Sequence, residues 1–176
     1  MLKEKEQELI EFTVKAIREY DAKQQRSRHD RRLRNTRLLL KNYLLLQEHC
    51  KEAIYEKQKP DVSENAIDVF DVIESYDRDS YVRAIKGSVT RTKIILAHID
   101  NMMQIYNVLC YQSSRPEDQR RYRVAYATYF ENVNILTICK KEAIDKSTYY
   151  RDIREAVETL SALFFGIDGL LDMRKG

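Results

Sequence analysis

Lys146, Ser147, Tyr150, Arg151 and Arg154 recur at steps of one and three, so a helix over this stretch sets all five on one face. Such a set of donors suits duplex DNA. Arginines reach guanine edges through paired N–H groups, while lysines and hydroxyls hold phosphates. Arg151 is the leading base reader; Lys146 and Ser147, in the first turn, suit the backbone or the first base, and Arg154 a phosphate or a following base. Tyr150 joins the same face, and Lys140 and Lys141 just upstream are placed to meet the flanking strand. The plainer alternative is the solvated face of a helical hairpin in an all-α core.

A second cationic stretch lies far away in sequence. Between Lys23 and Lys41 eight basic residues stand against one acid, Asp30, a local charge of +7. Arg28, Arg31, Arg32, Arg34 and Arg37 are its candidates for contact with nucleic acid or an anionic partner. A solvated helix face and an RNA-binding arginine-rich segment are the alternatives. Residues 61–79 invert the charge around Ile67, Phe70, Ile73 and Tyr76, an acidic amphipathic helix that is a solvated face or an internal counter-charge. His29, His49 and His98 stand alone, without a second ligand pair at finger-like spacing, so no metal is assigned. No Gly-rich phosphate loop, nucleophile elbow or zinc-protease signature occurs, and the expectation is a protein without enzymatic activity and without a cofactor.

The elements that must position the first face are short and well punctuated. Pro116 suits the first position of a helix carrying Tyr122, Ala125, Tyr126, Tyr129 and Phe130 and ending near Asn132. Asn134 is the expected N-cap of a second helix whose inward residues are Ile135, Ile138 and Cys139, followed by Ala143 and Ile144. Asp145 caps a third, with Tyr149, Ile153, Val157 and Leu160 as its buried stripe. This is the spacing of a helix-turn-helix over about residues 134–160. Upstream, no proline or glycine interrupts residues 6–57, which reads as one very long helix or two with a polar break, ended by Pro60. Another helix runs past Gly87 to Cys110, and the polar stretch before Pro116 marks a boundary between an N-terminal helical domain, 1–114, and a C-terminal helix-turn-helix domain, 115–176.

Four glycines and two prolines in 176 residues, with 34% charged and 43% hydrophobic, predict an all-α chain: long N-terminal helices packed as a bundle, then the helix-turn-helix. The net charge of +3 is small, so placement of charge matters more than its sum. Cys50, Cys110 and Cys139 lack CxxC spacing and read as buried free thiols of a reducing compartment. Neither a signal-peptide core nor an apolar run of spanning length is present, which predicts a cytoplasmic protein with no membrane partner. A homodimer stays open.

The order Ile138-Cys139, three residues, Ala143-Ile144, then Ser147-Thr148-Tyr149-Tyr150-Arg151 resembles a pattern common in bacterial helix-turn-helix proteins, with Glu142 and Ala143 where a small or apolar residue and glycine are usual. Together with Arg34-Asn35-Thr36-Arg37-Leu38-Leu39-Leu40-Lys41-Asn42-Tyr43, Arg91-Thr92-Lys93, His98-Ile99-Asp100, Arg120-Arg121-Tyr122 and Leu163-Phe164-Phe165-Gly166-Ile167-Asp168, it resembles the ArpU and RinA-like regulators of phage late genes. That resemblance implies a C-terminal domain similar to sigma-factor region four, double-stranded DNA as partner, gene activation, and RNA polymerase as a further partner. The rival class is a polymerase-binding or anti-termination factor that does not read DNA sequence.

Overall fold

A computed structural model of the chain describes residues 2–52 and 89–165, with side chains for 14–51 and 89–165. The acidic helix expected over 61–79 lies outside these residues, as do Pro60 and Gly166-Ile167-Asp168. Among the described residues every element is a helix: α1 (Leu2–Lys41), α2 (Tyr43–Glu52), α3 (Val89–Gln112), α4 (Pro116–Tyr129), α5 (Ile135–Glu142) and α6 (Lys146–Phe164). None of these helices is long and apolar enough to cross a membrane.

At 40 residues α1 extends about 60 Å at 1.5 Å per residue. The two readings of the N-terminal run resolve at Asn42. Its amide Nδ2 donates to the Leu38 carbonyl at 2.8 Å, and its backbone N–H is shared between the carbonyls of Leu38 and Leu39. A short amide side chain thus competes for the helix's own acceptors, and the regular ladder restarts with α2. Residues 14–28 of α1 are exposed on every side; burial begins around Leu33 and is complete at Leu38, Leu39 and Leu40.

Those leucines enter one large core with Leu46 of α2, Ile95, Ile99 and Met103 of α3, Ala125 and Tyr129 of α4, and Ala156, Val157, Leu160 and Phe164 of α6. The core therefore draws side chains from both sides of the boundary expected at residue 114. The second half of α6 is its centre, since even Ser161 and Ala162 there are buried. Two polar contacts fix the surrounding helices: Tyr43 donates its hydroxyl to Asp100 at 2.6 Å, and His98 Nε2 lies 3.0 Å from the Phe164 carbonyl. A smaller cluster, Val124, Ile138 and Tyr149, joins α4, α5 and the start of α6, and Ile153 packs against both clusters. Cys50 and Cys110 are buried free thiols as the sequence suggests, whereas Cys139 is half-buried.

Candidate nucleic-acid interface

Local chemistry shapes the junction of α5 and α6. Asn134 caps α5, its side-chain oxygen accepting the Leu136 N–H at 2.8 Å. At the far end Ala143 adopts the left-handed region, φ 53° and ψ 45°, so that the Ile144 N–H reaches back to Cys139 O at 3.0 Å and the Ala143 N–H to Lys140 O at 3.4 Å. This is a Schellman closure, which satisfies carbonyls that the helix end would strand. Asp145 then caps α6, accepting the Thr148 N–H at 2.7 Å and the Ser147 hydroxyl at 3.0 Å. The bond from the Thr148 backbone holds the Asp145 carboxyl below the usual carboxylate range. Because a Cβ is disfavoured at Ala143's dihedrals, Ala143→Gly is expected to stabilise the chain by about 1 kcal/mol. Thermal melting checks it, and a lower midpoint would show that the turn does not need a left-handed residue.

The turn projects the first half of α6 outward. Lys146, Ser147, Tyr150, Arg151 and Arg154 are all exposed on one face, and Lys140 and Lys141 are exposed on α5. No lysine or arginine of this group forms an ion pair among the described residues. Ser147 differs from the rest, because its hydroxyl proton is already given to Asp145. Its first role is therefore in the cap, and the free donors of the face are Lys146, Tyr150, Arg151 and Arg154. Opposite them Tyr149 is buried, its hydroxyl 3.1 Å from Thr128 Oγ1 of α4.

The arginines of α4 have the reverse character, since each is held by a carboxylate. Arg120 grips Asp152 of α6 with Nε at 2.7 Å and Nη2 at 3.2 Å, and the Asp152 side chain has no exposed surface. Arg121 joins Asp118 and Glu155, each at 2.5 Å. Arg123 forms a fork with Glu142, Nε at 3.0 Å to Oε1 and Nη2 at 2.7 Å to Oε2. This explains an acid at position 142, where the resemblance leads one to expect a small or apolar residue: Glu142 ties the end of α5 to α4. The hydrogen bond from Arg123 keeps its carboxyl below the ordinary range. Both α5 and α6 are thus strutted from α4 by ion pairs that leave the opposite, cationic face unneutralised.

The five arginines of the upstream basic run separate. Arg34 and Arg37 are exposed, Arg28 is exposed on another face, and Arg31 and Arg32 are half-buried, with Arg32 lying 5.5 Å over the Phe165 ring. Arg37, together with Lys41, lines a groove of about 600 Å³ whose other wall includes Tyr150 and Arg154. Sequence reading missed Lys41 as a site residue, and it missed Asp152 and Arg120 as the strut. A signal for Asp152 existed, because it lies three residues after Tyr149 and four before Ala156, on the buried stripe. Among the described residues no three His, Cys, Asp or Glu side chains gather as a metal site. Set beside protein-family models, curated proteins and solved structures, the chain matches none.

Proposed function

We propose that the chain is a sequence-specific, double-stranded DNA-binding transcription regulator in which α5, the turn at Ala143 and α6 act as a helix-turn-helix, α6 entering the major groove. One observation carries the reading: the first turns of α6 hold Lys146, Arg151 and Arg154 exposed and outside any ion pair among the described residues, while the arginines of the supporting α4 are all paired with carboxylates. A recognition helix needs this division, with hydrogen-bonding cations at its exposed N-terminal turns and a fixed rear face. The resemblance to the ArpU and RinA-like regulators adds the expectation of an activator of phage or prophage genes that works with RNA polymerase.

Arg151→Ala is the direct test. Duplexes are first selected from a random pool with the full chain, and affinity is then compared on a selected and a scrambled duplex. The variant is expected to lose about 1–3 kcal/mol on the selected duplex and little on the scrambled one, because a bidentate contact to guanine discriminates bases. Melting should be unchanged, since the side chain is exposed. Equal losses on both duplexes would make Arg151 a phosphate contact, and a pool that yields no preferred sequence would remove the reading. A protein-only module that docks on RNA polymerase is the second reading, favoured by Ile105, Val108 and Leu109, which are exposed on one side of α3. Salt-dependent binding to duplex DNA separates the two.

A further inference from the structure

The cations of α1 are sorted by face. Lys23, Arg26, Arg34, Arg37 and Lys41 follow one another at steps of three, eight, three and four, which keeps them in one stripe along the helix. Arg28 and Arg32 fall outside it, and Arg32 is engaged with Phe165. Along the stripe the surface is concave in succession: Lys23, Arg26 and Arg34 line one hollow, Arg34, Arg37 and Lys41 the next, and Arg37 and Lys41 the groove shared with Tyr150 and Arg154 of α6. The stripe therefore runs into the cationic face of α6, with Asp30, which lines the first two hollows, set between Arg26 and Arg34. From Lys23 to Lys41 it covers about 27 Å at 1.5 Å per residue, the length of roughly eight base pairs at 3.4 Å each.

Two features of the stripe favour one kind of occupant. Its five cations form no ion pair among the described residues, and two acids share their face, Asp30 four residues from both Arg26 and Arg34, and Glu19 four before Lys23. Like charges spaced at one helical turn destabilise a helix, and a polyanion laid along them reverses the sign of that effect. Lysines and arginines in a row, with few neutral hydrogen-bonding side chains among them, suit phosphodiesters more than base edges. We infer that the α1 stripe binds the sugar-phosphate backbone of the same duplex whose bases α6 reads, with Arg37, Lys41 and Arg154 gripping the strand where it crosses the groove between the two helices. The inference rests on the DNA-binding reading for α6 and extends the contact onto flanking DNA that α6 does not reach.

The test uses the full chain carrying Arg34→Gln, Arg37→Gln and Lys41→Gln together, with Arg28→Gln, off the stripe, as control; all four residues are exposed. Affinity is measured against salt on the selected and the scrambled duplex, with helicity followed by circular dichroism. Each lost phosphate contact should flatten the slope of log affinity against log salt by about 0.9, so the triple variant should lose roughly 2.7 in slope, equally on both duplexes, with its sequence preference intact. The control should keep the wild-type slope. An unchanged slope in the triple variant overturns the inference, and so does a loss in Arg28→Gln as large as in Arg37→Gln alone, which would mean a diffuse field and no track. So does a triple variant that keeps duplex binding and loses single-stranded RNA. The two readings fail differently: Arg151→Ala losing its preference while the triple variant keeps its slope removes the stripe alone. A chain without sequence preference whose triple variant still loses slope removes base reading by α6 and leaves the stripe as a duplex-backbone site.

Discussion

Replacing Asp152 by alanine is expected to destabilise the full chain by about 3 kcal/mol, the lower end of what breaking a buried ion pair costs. The carboxylate is fully buried and accepts two hydrogen bonds from Arg120, while Arg121 Nε lies 3.7 Å away. Without it the two Arg120 N–H groups stay in the seam between α4 and α6 without that acceptor, and Arg121 loses a nearby counter-charge. The lower end applies because the arginine side chains keep 21% and 19% of their surface exposed, so water reaches them. In a thermal melt this reads as a fall of roughly 6–12 °C, at about 2–4 °C per kcal/mol for a chain of this size. Asp152→Asn, which keeps the shape and one acceptor, should fall less. An unchanged midpoint for the alanine variant would mean that α6 is held by apolar packing alone.

A fragment spanning residues 115–176 is expected to lose cooperative folding altogether. Cutting away α1 to α3 uncovers Ala125, Tyr129, Val157, Leu160 and Phe164, all of them in the large core. The three largest, Tyr129, Leu160 and Phe164, each gain about 1.5–3 kcal/mol from burial, and together that approaches the roughly 5–15 kcal/mol by which a whole domain is stable. What remains is the small cluster of Val124, Ile138 and Tyr149 with the half-buried residues around it. Circular dichroism against temperature decides the matter. A sigmoidal melt with the helicity of α4 to α6 would show that these helices form an autonomous domain, as the boundary at residue 114 implies.

The parts of this structure that were legible in the sequence are those governed by near neighbours. Asn134 and Asp145 cap their helices because a short polar side chain needs only an N–H two or three residues ahead. Pro116 opens α4 for an equally local reason, its missing N–H falling where a helix has no use for one. The buried stripe of α6 followed from spacing, although Ile153 is shared between two clusters and is only half-buried. Illegible were the pairings between distant segments. Arg120 and Asp152 are 32 residues apart, Arg123 and Glu142 are 19 apart, and neither partner carries a mark of the other. Meeting of Arg37 with Arg154 depends on how α1 lies against α6, which no local rule sets. The basic run could have been sorted into faces from its spacing alone; which face would meet α6 could not.

The packing of Leu38, Leu39 and Leu40 against α6 joins the first described helix to the last. On the ribosome those leucines emerge before α6 and wait for it. Leu160 and Phe164 follow roughly 120 residues later, about 6–25 s of synthesis at about 5–20 residues per second. Through that interval the leucine triplet lacks its α6 partners, and apolar surface left uncovered in this way is the kind that chaperones capture and that joins nascent chains to one another. Among the described residues closure then arrives with the same helix that carries Arg151, so the last side chains of the described core and the cationic face are synthesised together.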